Sequence, residues 1–277
     1  MARHIVLWSI GIKEFFAMRL ALLIVGALRT FPCHLNHFFE RFAALGWDVD
    51  YYFCISRGGA STNSKGMSYS ACHIENITHS ILATYDPIET LDVSVKFVVN
   101  PNCTVPRLST KQTMDKSDQH PVERMWETLA SAYKCFKRME TYESENLFLY
   151  DYVWRLRPDI LFYEPLPTKL FNKATFPYGR VRCNSHSKCL NDHIALLPRH
   201  AASRYFDGAN EYLWCNSTQN DFHAYIGEHY YERFRNMHVI DPLIKYTLVR
   251  PDGLECRRAP NKERDSCRKY SQNLSLT

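Results

Sequence analysis

The chain has 277 residues, 45% hydrophobic and 14% aromatic, with a formal net charge of +5. That is enough apolar material for one large or two small cored domains, and it excludes a low-complexity chain. The mildly basic balance suits a small anionic ligand and argues against nucleic acid as a partner.

Residues 5–12 are apolar, but Lys13, Glu14 and Arg19 interrupt any extension to membrane-spanning length. Residues 1–18 therefore read as a signal-like segment or a short helix, and membrane association stays open. Residues 20–27 form a near-continuous apolar run of a length that suits a buried, parallel strand. Phe38, Phe39, Phe42 and Leu45 then recur at helical spacing over residues 35–45, with Gly46 as the stop. Residues 49–55 give a second strand. The β-α-β order predicts a parallel sheet with a right-handed crossover.

Residues 57–73 are rich in Gly, Ser and Asn and read as a surface loop, followed by a short helix over 77–84. The spacing predicts a third strand over 93–99 and a polar connection over 100–119. Pro121 opens a helix whose stripe is Trp126, Leu129, Tyr133 and Phe136, running to Tyr142. A strand over 148–156 follows, then a turn and short helix over 160–171. Residues 180–192 are a polar loop. Residues 194–197 form a short strand, and 200–206 a helix packed on it. A loop over 215–220, a helix over 222–234 and one or two strands over 238–249 complete the expectation. No internal repeat or linker occurs, so residues 19–250 read as one α/β domain with long loops and 251–277 as a polar tail.

The segment from Tyr150 to Asp159 carries the sharpest chemical signal. Arg155, Arg157 and Asp159 arrive on alternating positions, so they share one face of an extended chain. Pro158 excludes helix and forces Arg157 extended. Two guanidiniums and a carboxylate at a strand end are costly to bury without partners. A phosphorylated ligand is one such partner; an Arg–Asp salt bridge trimming the strand is the plainer one. In an open α/β sheet the ligand crevice lies at the carboxyl ends of the strands. Gly26, Arg29 and Thr30 after the first strand, and Asn191, Asp192 and His193 before the late one, fall there too.

These residue types fit transfer from a donor with a diphosphate leaving group. Arginines neutralise charge building on the departing phosphates. A carboxylate can hold a divalent ion bridging phosphate oxygens, and another carboxylate or a His can take the acceptor's proton. Asp159 suits the metal or ribose role. Asp192 suits the base or a metal ligand, with His193 behind it.

There are ten cysteines and four Asn-x-Ser/Thr sequons, at Asn76, Asn102, Asn216 and Asn273. Together they favour a secretory lumen, Golgi or ER, over the cytoplasm. Cys33, Cys54 and Cys135 sit in apolar contexts and read as buried thiols. Cys183 and Cys189 read as a disulfide closing a small loop. With His186 and His193 they could instead supply four zinc ligands. Cys256 and Cys267 invite a disulfide in the tail. Core packing explains Trp126, Trp154 and Trp214, although each could stack on a ligand.

The succession Gly26-Ala-Leu-Arg-Thr-Phe31, then a Trp-bearing helix, then Tyr150 to Phe162, then Asn191-Asp-His-Ile-Ala-Leu-Leu-Pro198 resembles a little-characterised group of glycosyltransferases, over about residues 20–206. The resemblance implies a GT-A-like, open, mainly parallel twisted sheet flanked by helices. It implies a nucleotide-sugar donor, a glycan or other hydroxyl acceptor, and Mn²⁺ or Mg²⁺ as cofactor. Gly26, Arg29, Thr30, Arg155 and Arg157 would bind the donor, Asp159 the metal, and Asp192 and His193 would be catalytic. Enzymes of this type carry Asp-x-Asp where this chain has Arg157, Pro158 and Asp159, so basic side chains could replace the ion. The alternative is a non-catalytic carbohydrate- or nucleotide-binding protein on a degenerate version of the fold. Gly-x-x-x-x-Gly-Lys-Ser/Thr, Gly-x-Gly-x-x-Gly and Gly-x-Ser-x-Gly are all absent, against a P-loop kinase, a nicotinamide enzyme and a serine hydrolase of the elbow type.

Overall fold

The computed structural model describes residues 18–26, 35–55, 87–93, 121–162, 164–166, 174–177, 193–207, 238–241, 244, 246–250 and 253–254. Ten strands and three helices are built from them: β1 (Arg19–Gly26), α1 (Leu35–Ala43), β2 (Asp48–Ile55), β3 (Glu89–Asp92), α2 (Pro121–Glu145), β4 (Tyr152–Leu156), β5 (Ile160–Phe162), β6 (Ala174–Pro177), β7 (Ile194–Pro198), α3 (Arg199–Phe206), β8 (His238–Asp241), β9 (Tyr246–Arg250) and β10 (Gly253–Leu254). Seven strands form one sheet in the order β3-β2-β1-β4-β7-β6-β8, and β10-β9-β5 form a second.

The large sheet is mixed and mainly parallel. β3, β2, β1 and β4 run parallel, as do β6 and β8, while β7 is antiparallel to both β4 and β6. The α/β architecture expected from the sequence is therefore the one observed. β1 sits centrally, and Leu20 to Val25 are all buried. Burial on both faces accounts for its unbroken apolar run, since alternation marks a strand with one wet face. Ala21, Leu23 and Val25 pack with Val153, Ala195 and the apolar sides of α2 and α3. Leu20, Leu22 and Ile24 pack with Trp154 and with Phe38, Phe39 and Phe42 of α1. The helices thus cover opposite faces.

Gly46 has φ +67°, the left-handed geometry that ends a helix, as its position after the α1 stripe implied. α2 buries Leu129, Ala132, Cys135, Phe136 and Met139, and Phe136 stacks on Phe206 of α3 with centroids 4.4 Å apart.

Four expectations are corrected. The third strand lies at Glu89–Asp92, not 93–99; Val93 only closes its ladder, and residues 94–99 lie outside the described set. Its Glu-Thr-Leu-Asp sequence has no apolar run because it is an edge strand. The strand expected over 148–156 begins at Tyr152. Ile160–Phe162 form a strand rather than a turn, because β9 pairs with them. Cys54 and Cys135 are not thiols but a disulfide tying β2 to α2 across 81 residues of sequence. The helices expected over 77–84 and 222–234, and the cysteines at 33, 183, 189, 256 and 267, lie outside the described residues.

Candidate functional site at the carboxyl ends of β1 and β4

Gly26 closes β1 with φ +137°, and a Cβ added there would stand 3.3 Å from Cδ of Pro158. The carboxyl end of β1 thus lies directly against the turn that follows β4. The Arg157 N–H donates to the carbonyl of His193 at 3.1 Å. This extends the β4–β7 ladder one step past Leu156 and Ile194. His193 Nδ1 lies 3.0 Å from the Tyr246 hydroxyl, and the two rings meet edge to face at 89°. Five of the expected residues, Gly26, Arg155, Arg157, Asp159 and His193, are therefore in one neighbourhood. Arg29, Thr30 and Asp192 lie outside the described residues, as do His186 and Trp214.

Arg157 forks onto Asp159, with Nε 2.9 Å from Oδ1 and Nη2 2.7 Å from Oδ2. Asp159 is 1% exposed. This bidentate geometry is the strong form of the Arg–carboxylate contact. Arg155 is different. It is 3% exposed, flanked in register by Leu23 of β1 and Ala195 of β7, and its Nε and Nη1 have no hydrogen-bond partner. A buried, incompletely paired guanidinium costs several kcal/mol. Among the described residues, Arg155, Arg157 and Asp159 bring two guanidiniums against one carboxylate.

A divalent ion fits these residues poorly. Both oxygens of Asp159 are engaged by Arg157, so an ion would have to displace that guanidinium. Among the described residues no three His, Cys, Asp or Glu side chains converge as a metal site. Trp154 is fully buried against Phe42 and Phe162, which makes it core. Sequence reasoning missed Tyr246. Nothing local marks it, because its approach to His193 is set by the Phe162–Tyr246 pairing of β5 with β9.

The opposite edge of the sheet carries a separate polar network. Glu143 is 2% exposed; Arg199 forks onto it with Nε–Oε1 2.8 Å and Nη2–Oε2 2.7 Å, and the Tyr150 N–H donates to it at 3.0 Å. The Tyr150 hydroxyl donates to Asp50 at 2.7 Å, so Tyr52, 2.9 Å away, donates to Tyr150. Burial, chiefly, pushes both phenols well above the ordinary tyrosine range. A shallow depression here is lined by Glu140, Glu143, Ser144, Leu147, Phe148, Leu149 and Arg199. It faces the amino ends of the parallel strands, away from where α/β sheets hold ligands.

Fold and site together define an open α/β protein with a basic cluster at the carboxyl edge of its parallel strands. No protein-family model matches the chain, and no curated protein does. A solved structure that it resembles is the crystal structure of a glycosyltransferase involved in the glycosylation of the major capsid of PBCV-1. The TM-score is 0.36 and the identity 9%, over 81% of this chain and 82% of that one. A likeness so slight carries no residue role across. Among the described residues no helix is long and apolar enough to cross a membrane.

Proposed function

We propose that this protein is a glycosyltransferase that moves a sugar from a nucleotide-sugar donor to an acceptor hydroxyl. One observation carries the reading: Arg155 is buried at the carboxyl end of β4 with two donor nitrogens unmatched. Buried donors of this kind are ordinarily satisfied, and the oxygens of a phosphorylated ligand would satisfy them. Arg155 and Arg157 would then neutralise charge on the departing diphosphate. Arg29 and Thr30 would line the nucleotide side. Asp192 or His193 would take the proton of a glycan or other hydroxyl acceptor, with Tyr246 fixing the imidazole through Nδ1. The disulfide between Cys54 and Cys135 and the four sequons favour a secretory lumen as the place of action.

The test is nucleotide release from a panel of nucleotide-sugars by wild type and Arg155→Ala. Wild type should turn over at least one donor, and the variant should lose about 10²–10³-fold in kcat. A wild-type protein that turns over none of them rejects the proposal. The Arg157–Asp159 fork favours one second reading, a binding protein without activity, because it occupies the carboxylate an ion-dependent enzyme would use. That reading requires saturable donor binding with no turnover.

A further inference from the structure

We infer that the site recognises a diphosphate without a divalent cation, Arg155 supplying the positive charge and Asp159 acting as the positioning residue that presents Arg157. The inference rests on the nucleotide-sugar reading of the same site and specifies how the leaving group is held. An orphan donor distinguishes between the two kinds of guest. Nε and Nη1 of Arg155 lack acceptors; phosphate oxygens provide them, and a cation cannot. A dication placed next to a buried guanidinium would also meet repulsion little screened by solvent.

Asp159 is the second element. Its carboxylate is 1% exposed and gives one oxygen to each of two Arg157 nitrogens. That arrangement fixes a planar guanidinium at the end of β4. The Arg157 N–H to His193 carbonyl bond fixes the backbone below it. Ordering so long a side chain before the ligand arrives removes part of the entropy that binding would otherwise lose. Arg155 and Arg157 stand at alternate positions of an extended segment, so both present to the same side of the sheet. A diphosphate placed there meets two guanidiniums, one buried and one held.

The experiment is calorimetric titration of inorganic pyrophosphate into the full chain, once in EDTA and once with Mn²⁺. Binding should be measurable in EDTA, and Mn²⁺ should not strengthen it, because no counter-ion is needed and Mn²⁺ itself chelates free pyrophosphate. Arg155→Ala should weaken binding about tenfold or more. If that variant does not fold, Arg155→Lys and the more exposed Arg157→Ala carry the test. Asp159→Asn should weaken binding in EDTA, and its effect should vanish in an Arg157→Ala background, because it acts through Arg157. A purely structural role for Asp159 would add to Arg157→Ala instead and would lower the unfolding midpoint alike in both backgrounds. Binding that needs Mn²⁺ and is abolished by EDTA overturns the inference, and so does no binding in either buffer. Nucleotide-sugar turnover by the same preparation separates the two failures. Turnover with Mn²⁺ leaves the transferase standing, and absence of turnover removes both.

Discussion

Gly26 shows how much one residue can hold at the carboxyl edge. Its φ of +137° is a conformation that side-chain-bearing residues rarely adopt, and the Cβ of any replacement would press on Pro158 at 3.3 Å. Gly26→Ala should therefore lower stability by about 1–3 kcal/mol, read as a drop in the urea midpoint; an unchanged midpoint would show that the β1 end is not constrained as described. Tyr52 and Tyr150 make a second residue-scale case. Their folded pKa values lie above the ordinary 10.0, with burial as the leading cause. The folded state thus holds protons that the unfolded chain releases as pH passes 10, and stability must fall as pH rises beyond that point. Denaturant midpoints taken between neutral pH and pH 11 should decline above about pH 10. The decline should be shallower in Tyr52→Phe, which keeps the ring and removes one titrating group. A flat profile in the wild type would contradict the burial of the pair.

At the scale of elements, α2 ends in an unusual way. Leu147, just past its last turn, has φ +55° and is 92% exposed. Helices commonly place Gly or Asn in this left-handed position, whereas a leucine there is strained by about 1–2 kcal/mol. Its side chain gains nothing from burial in return. Leu147→Asn should accordingly raise stability by about 0.5–1 kcal/mol, measured by chemical unfolding; destabilisation would mean that the leucine contacts something in the folded protein. The elements differ in how legible they were. β1, α1, β2, β7 and α3 follow apolar periodicity that is complete within each segment. β3, β5 and β6 do not. Glu89–Asp92 becomes a strand by pairing with β2, Ile160–Phe162 by pairing with β9, and Ala174–Pro177 by lying between β7 and β8.

Over the whole molecule, the bond between Cys54 and Cys135 crosses from the sheet to α2 and closes a loop of 81 residues. Loop-closure entropy at that length corresponds to about 4.5 kcal/mol, comparable with truncating one well-buried leucine. Reductant, or the paired change Cys54→Ala with Cys135→Ala, should lower the urea midpoint by that order. Insensitivity to reductant would mean the cysteines are not bonded in solution. The sequence by itself determined the α/β class and the central parallel strands, because hydrophobic period and helix stops are local sterics. It also determined the alternation of Arg155 and Arg157, because the strand that ends at Leu156 is prolonged one residue by the Arg157–His193 bond; the expected extension to Asp159 is replaced by a turn at Pro158 and Asp159. Only the tertiary structure decided that Arg157 clasps Asp159 while Arg155 is left with unmatched donors. The same holds for Gly26 against Pro158, His193 beside Tyr246, and the pairing of two cysteines that looked like buried thiols. The Gly26–Pro158 and His193–Tyr246 contacts and the flanking of Arg155 depend on how strands distant in sequence fall into register, which is settled by the joint burial of both faces of the sheet rather than by any one segment; the disulfide depends on how α2 docks on β2.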